Sequence, residues 1–156
     1  MATRRSRIWA GAVLAVALGA AAGVVAWRDP LLLPGTHSVS VYAIQDSISQ
    51  QIDHEPGLLG RALGMCDADT YYVRDGDTKM CIVLSGPLGE VQASKSGGTV
   101  TVPAGDAASL RAMAAQDTGS PEPTTRLALR AGGRPVAIVA VADIVDGKAV
   151  TAHALD

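Results

Sequence analysis

Two cysteines, Cys66 and Cys81, are the only thiols in the chain. In an oxidising compartment an isolated pair of this kind usually forms a disulfide. The closed loop of about 15 residues would stabilise the fold by about 3 kcal/mol in the chain-entropy model. Met65 and Met80 each precede a cysteine, so a copper site with sulfur ligands is the alternative. The spacing is far from Cys-x-x-Cys and does not favour a thioredoxin-type redox role.

Four aspartates surround the segment between the cysteines: Asp67, Asp69, Asp75 and Asp77. Several carboxylate oxygens in one place suit calcium. However, Tyr71 stands where an EF-hand loop needs its third ligand. Turn formation and solvated charge explain these aspartates better than a metal site does.

The three histidines, His37, His54 and His153, are scattered along the chain. Asp53 and Glu55 flank His54, but adjacent residues of a helix point in different directions and do not converge on one ligand. The chain contains no nucleophile elbow, P-loop, dinucleotide fingerprint, zinc-protease signature or Cys-x-x-Cys-His haem attachment site. We therefore expect no catalytic residue, no metal and no cofactor, and the sequence predicts a protein that is not an enzyme.

Hydrophobic periodicity and turn residues predict the elements that position these side chains. Ile44, Ile48 and Ile52 fall on one helical stripe, so a helix capped by Asp46 or Ser47 is predicted. Further helices are predicted at 58–65 and 106–116. The predicted strands are 38–44, 70–74, 78–85, 90–94, 99–102, 126–130, 136–144 and 148–154, the last three as a meander. The predicted fold class is α+β: a single N-terminal transmembrane helix, then a small, mostly antiparallel sheet with two or three short helices.

The transmembrane helix is predicted at residues 8–27, where no side chain is charged. A helix of this length spans about 30 Å, the thickness of the hydrocarbon core of a bilayer. Trp9 and Trp27 lie at its two ends, where tryptophan favours the membrane interface. Arginines at positions 4, 5 and 7 precede it, which predicts a cytoplasmic N-terminus and an extracytoplasmic C-terminal domain.

A cleaved signal peptide is the alternative interpretation of this segment, because small residues at 20–22 and 24–26 suit a signal peptidase. The segment is longer than a usual h-region and ends in Trp27, which favours retention. The predicted organisation is a cytoplasmic basic stub at 1–7, the membrane helix at 8–27, a juxtamembrane linker at 28–37 and the outer domain at 38–156.

Small residues recur every four positions in the membrane segment: Gly11, Ala15, Gly19 and Gly23. On a helix they form one smooth ridge, and such ridges allow close packing of helices in lipid. The alternative is that an alanine-rich segment places small residues everywhere by chance. The ridge predicts transmembrane helices of a larger membrane complex as partners, in addition to membrane lipid.

Three leucines, Leu31, Leu32 and Leu33, follow the membrane segment between two prolines. Proline at both ends argues against continuation of the helix. We expect these leucines to rest on the lipid interface or on a partner; burial under the domain is the alternative.

The charge of the outer domain argues against nucleic acid as a partner. All 15 acidic residues lie after the membrane segment, and three of the 13 basic residues lie before it. Residues 28–156 therefore carry a net charge of −5. Binding to nucleic acid depends on basic residues that neutralise phosphates. A domain with a net negative charge is therefore a poor binder of nucleic acid.

The layout resembles the single-span accessory subunits of the actinobacterial cytochrome bcc–oxidase supercomplex. The resemblance rests on the arginine-rich start, the glycine- and alanine-rich segment 8–27, the Pro-Leu-Leu-Leu-Pro stretch and the two-cysteine outer domain. It extends over the chain as architecture and contains no specific motif. The arginine-, alanine- and glycine-rich composition is typical of a high-GC genome. The resemblance implies a structural role beside haem- and copper-bearing subunits, without a redox centre in this chain.

Two functions therefore remain open. The first is a non-catalytic accessory or assembly subunit of a larger membrane complex. The second is a free-standing, membrane-anchored envelope domain that binds a small ligand, an ion or a cell-wall component. An accessory subunit should migrate with a large complex, whereas a free-standing binder should extract as a small particle.

Overall fold

The computed structural model describes residues 30–67, 69–116 and 122–155. Within these ranges the protein is mainly antiparallel β-sheet, with nine strands and two helices. The predicted α+β class is therefore wrong. The predicted transmembrane helix at 8–27 lies outside the described residues, and no helix within them is long and apolar enough to cross a membrane.

The strands are short, with one exception of 19 residues. In chain order they are β1 (His37–Ile44), β2 (Gln50–Gln51), β3 (Met65–Asp67), β4 (Thr70–Asp75), β5 (Thr78–Ser96), β6 (Thr99–Val102), β7 (Arg126–Ala131), β8 (Arg134–Ala140) and β9 (Val150–His153). The helices are α1 (Leu58–Leu63) and α2 (Ala107–Gln116). Short 3₁₀ turns occupy Pro30–Leu32, Ala104–Asp106 and Val141–Asp143.

The long strand β5 organises the sheet, whose main order is β3-β4-β5-β1-β7-β8. Its first part pairs with β4 and β2, its middle with β1 and its end with β6. The register against β1 shifts on both sides of Tyr42, which lies opposite Pro87. Proline cannot donate to the ladder. At the same irregularity the Ala43 N–H donates to the Ser85 hydroxyl oxygen at 3.0 Å. This irregularity bends the sheet.

The sheet closes on itself through β9, which pairs with β6 over four residues. Beyond β9, Ala154 forms a single bridge to Ala137 of β8, and the Leu155 N–H donates to the Val136 carbonyl at 2.9 Å. The predicted meander of the last three strands is therefore wrong in its final pairing. The main partner of β9 is β6.

Two hydrophobic cores lie on opposite faces of the sheet, because side chains alternate along each strand. The larger core includes alternate residues of β1 and β7, such as Val39 and Leu127, and is covered by α2 through Leu110. The smaller core comprises Ile44, Val73, Ile82 and Ala128, with both tyrosines of the second face, Tyr42 and Tyr71, packed against it. The hairpin of β4 and β5 thus folds over the face of β1 and β7 that lies opposite the larger core.

The helix predicted after Asp46 is also wrong. The segment forms a turn, in which the Ile48 and Ser49 N–H groups donate to the Gln45 carbonyl, and then the short strand β2. The Ser49 hydroxyl accepts from the Val83 N–H at 3.2 Å, which ties the turn to β5. Ile48 is exposed. Strand pairing with β5 therefore overrides the helical spacing of the isoleucines.

Candidate functional site

The predicted disulfide is confirmed: Cys66 in β3 and Cys81 in β5 are bonded, with their Cα atoms 6.0 Å apart. The register explains the encounter, because Tyr72 of β4 pairs with Cys81 and Tyr71 pairs with Met65. The disulfide therefore fixes β3, and with it the end of α1, to the long strand β5.

Helix α1 carries an exposed apolar surface, which we name the leucine surface: Leu58, Leu59 and Leu63. These side chains are 79%, 77% and 57% exposed, and α1 contains no buried residue. Single exposed leucines are ordinary, whereas three on one short element form an exposed apolar patch, a feature that is often found at interaction sites. The sequence predicted a helix here without predicting its exposure, because the same leucines would suit a buried face.

Several bonds hold the leucine surface in place. Gly64 ends α1 in the left-handed region at φ 67°, and its N–H donates to the carbonyls of the last turn. Its carbonyl accepts from the Tyr72 N–H at 3.0 Å. Glu55 pairs with Arg61 at 2.7 Å and with Lys79 of β5 at 3.6 Å. With the disulfide, these contacts make a six-residue helix a preorganised element, although helices of this length do not form alone.

A cleft of about 290 Å³ opens where the ladder between β8 and β9 ends. Continuing the register from the Ala137–Ala154 bridge would place Ile138 opposite His153, Val139 opposite Ala152 and Ala140 opposite Thr151. No such ladder is formed, and these six residues line the cleft instead. The two strands therefore splay apart, and the gap reaches down to the larger core.

Polar and charged side chains at the rim of the cleft include Asp75, Asp143, Arg126 and His153. Arg126 is committed to Asp46: its Nε donates to Asp46 Oδ1 at 2.8 Å, and its Nη2 contacts the same oxygen. The two remaining carboxylates leave the rim acidic, so the cleft suits a cationic group. Among the described residues no group of histidine, cysteine and carboxylate side chains is arranged to hold a metal ion.

The pKa of Asp46 lies below its ordinary value of 3.8. Burial alone would raise this pKa. Hydrogen bonds from Arg126 and from Thr125, whose hydroxyl donates at 2.6 Å, and the charge of Arg126 outweigh the burial. Asp46 therefore acts as an anionic clamp between the turn after β1 and the start of β7.

Arg130 of β7 lies between two tyrosine rings. Its Cζ is 5.4 Å from the ring centre of Tyr42 and 5.0 Å from that of Tyr71, and its Nη1 donates to the Tyr42 hydroxyl at 3.3 Å. Its Nε is buried and has no acceptor among the described residues. No local sequence pattern predicts this cluster, because its three members lie on three different strands.

The other predicted site residues are mostly exposed or undescribed. The ridge of Gly11, Ala15, Gly19 and Gly23, and the interfacial Trp9 and Trp27, lie outside the described residues. Leu32 and Leu33 are 57% and 38% exposed, whereas Leu31 is 1% exposed and packs in the larger core. Leu31 therefore does not lie at the predicted membrane interface. The reason is that the 3₁₀ turn points its side chain at the sheet while its neighbours face outward.

The acidic group and the histidines form no common site within the described ranges. Asp67, Asp69, Asp75 and Asp77 are all exposed around the β4–β5 hairpin, and only Asp75 reaches the cleft. His37 Nε2 donates to the Leu33 carbonyl at 3.2 Å, and His54 is exposed. Only His153 lies at the cleft, a placement that depends on the β6–β9 pairing and is therefore invisible in the sequence.

Comparison with protein-family models, with curated proteins and with solved structures finds no match to this chain.

Proposed function

We propose that the protein is a non-catalytic accessory subunit of a larger membrane complex, with its sheet domain on the extracytoplasmic side. The observation that carries this proposal is the burial of Leu31 in the larger core. Three residues, 28–30, lie between Trp27 at the end of the apolar segment and Leu31. The four Cα-to-Cα steps from Trp27 to Leu31 reach at most about 14 Å. With the apolar segment in the bilayer, as proposed, this short connection would keep the domain close to the membrane, which supports a subunit with a fixed position.

The sequence of the membrane segment supports the same function. The ridge of small residues from Gly11 to Gly23 allows a neighbouring helix to approach closely, and no ionisable side chain interrupts the segment. A neighbouring helix packed on this ridge would hold the outer domain in the fixed position that the short connection to Leu31 implies. The resemblance to accessory subunits of the cytochrome bcc–oxidase supercomplex makes that complex the first to test.

The test is extraction of the full chain in mild detergent through a tag on Asp156, followed by native gel sizing, subunit identification and a haem absorption spectrum. Gly19→Leu should release the chain from the complex, because leucine fills the ridge. Ala21→Leu, on the opposite side of the helix, is the matched control and should co-migrate like the wild type. A small, colourless particle without stoichiometric partners would overturn the proposal.

The cleft favours a second function, an envelope domain that binds a small cationic ligand. Its mouth is lined by the carboxylates of Asp75 and Asp143, and its floor by apolar residues such as Val139. Calorimetric titration of the full chain in detergent with trilysine tests this function, with triglutamate as the control. Binding of trilysine but not of triglutamate, lost in the Asp75→Asn and Asp143→Asn variants, would support this function. Equal heats for both peptides would contradict it.

A further inference from the structure

The leucine surface lies at one particular end of the sheet, which the register identifies. Ser40 of β1 pairs with Arg130 of β7, so the β7–β8 turn lies beside the start of β1. We name this end, where β1 begins at His37, the near end; the far end is where β8 stops at Ala140. A Cβ built on Gly64 would lie 2.7 Å from Nε of Arg134, the first residue of β8. The C-terminus of α1 therefore lies beside the near end of the sheet.

The chain also enters the domain at the near end. The Leu33 carbonyl accepts from His37, the first residue of β1, and the Pro30–Leu32 turn lies just before Leu33. Leu32 and Leu33 are exposed there, beside the buried Leu31. If residues 8–27 span the bilayer, the near end faces its surface across a connection that reaches at most about 14 Å.

We infer that α1 is a membrane-contact helix whose leucine surface rests on the phospholipid bilayer and, with Leu32 and Leu33, orients the domain. This inference rests on the proposed function, since it needs the apolar segment to cross the membrane. It goes beyond that function by assigning a lipid-binding role to a surface of the outer domain. The short connection keeps the near end of the sheet within reach of the bilayer surface.

The size and chemistry of the leucine surface favour lipid over a protein partner. A stable protein interface uses about 20–30 residues on each side, whereas this surface consists of three leucines. Short apolar surfaces flanked by basic side chains are typical of elements that lie in the headgroup region. Arg61 lies within α1 and Arg134 beside its end, and the Arg61 side chain is 47% exposed although it pairs with Glu55. The guanidinium of Arg134 suits lipid phosphates, whereas that of Arg61 is already paired with Glu55.

The experiment places the photo-reactive residue benzoylphenylalanine at single positions of the full chain, reconstituted in vesicles of phosphatidylcholine and phosphatidylglycerol at a ratio of about 3:1. The test position is Leu59. The matched control is Val145, an exposed apolar residue that follows β8 at the far end. The length of β8 separates the two ends by about 20 Å. A third position, Leu14, reports whether the apolar segment crosses the bilayer.

The expected result is a phospholipid adduct at Leu59 at least about tenfold more abundant than at Val145, identified by mass spectrometry. An adduct between two copies of the chain at Leu59, or lipid labelling equal to that at Val145, would overturn the inference. Labelling at Leu14 without labelling at Leu59 would overturn the inference alone. Absence of lipid labelling at Leu14 would mean that the membrane anchoring in the proposed function has failed as well.

Discussion

Gly64 and the guanidinium of Arg134 meet where α1 ends: a Cβ at Gly64 would lie 2.7 Å from Arg134 Nε. Gly64 also has φ 67°, in the left-handed region that L side chains rarely adopt. One glycine thus ends α1, leaves room for the arginine of β8 and connects the leucine surface to the near end of the sheet. The position of the surface depends on residues 70 positions apart in the chain.

Gly64→Ala is expected to destabilise the protein by about 1–2 kcal/mol, because a side chain in the left-handed region is strained and displaces Arg134. The measurement is the urea midpoint of the full chain in detergent, followed by circular dichroism. Gly57→Ala is the matched control at the other end of α1, where φ is −54° and a Cβ would have open space. A control loss as large as that of Gly64→Ala would contradict this explanation.

Turn chemistry made part of the fold predictable from sequence. Asp75-Gly76, between the predicted strands 70–74 and 78–85, is typical of a hairpin turn, and Gly76 has the positive φ of 58° that such a turn requires. The helix predicted after Asp46 failed because Ile44, Ile48 and Ile52 suit strand pairing as well as a helical stripe, and the decision came from contacts with the distant β5. Local sequence patterns therefore predicted local elements but not their pairing with distant strands.

The candidate sites were harder to predict because each depends on long-range pairing. The cleft exists because β9 pairs with β6 and leaves β8 after one bridge. The exposure of Leu58 and Leu59 depends on whether another element covers α1, and no local pattern reports that. The disulfide was the exception, since a chain with only two cysteines allows one intramolecular pairing.

Leu31 and Leu32 offer a direct test of how the chain enters the domain. Leu31→Ala should cost about 2–5 kcal/mol, because its side chain is 1% exposed in the larger core. Leu32→Ala should change stability by less than about 0.5 kcal/mol, because Leu32 is 57% exposed. Urea unfolding of both variants in the same detergent measures the difference. Equal small losses would mean that the Pro30–Leu32 turn is not part of the domain.

The clamp between Asp46 and Arg126 predicts a dependence on pH. Because the pKa of Asp46 is lowered in the folded state, its contribution is present above the ordinary value of 3.8 and is lost as pH falls through the folded pKa. Asp46→Asn should therefore cost about 0.5–1 kcal/mol near pH 7, as expected for a partly exposed pair. The deficit should shrink below pH 3.8.

Thermal unfolding from pH 7 to pH 2 measures the effect of Asp46→Asn. The exposed Asp53→Asn is the control for loss of a negative charge. A deficit that stays constant across this range would show that the Asp46 carboxylate does not stabilise the fold through its charge.

Removing the disulfide with Cys66→Ala and Cys81→Ala should cost about 3 kcal/mol, the value for a closed loop of this length. Hydrogen exchange should quicken first in β3 and α1, because the Cys66–Cys81 bond holds them to β5. Reduction of the wild type should reproduce both effects. Unchanged exchange in α1 would show that Gly64 and the Glu55 ion pairs hold the helix without the disulfide.

Arg130 tests whether the charge between Tyr42 and Tyr71 stabilises the smaller core. Each cation–π contact contributes about 0.5–1 kcal/mol, whereas a buried donor without an acceptor, here Nε, costs about 1–3 kcal/mol. Arg130→Met keeps an unbranched apolar stem between the rings and removes the cation–π contacts, the unpaired donor and the 3.3 Å bond to the Tyr42 hydroxyl, so stability should change by less than about 1 kcal/mol. Arg130→Ala should lose roughly 2 kcal/mol more, because it empties the space between the rings.

Urea midpoints of the two Arg130 variants separate packing from charge. Near-wild-type stability of Arg130→Met beside a large loss in Arg130→Ala would show that the arginine acts through its stem. A loss above roughly 2 kcal/mol in Arg130→Met would exceed what two cation–π contacts supply. The guanidinium would then have a stabilising polar contact beyond the Tyr42 hydroxyl, because the apolar packing is retained in that variant.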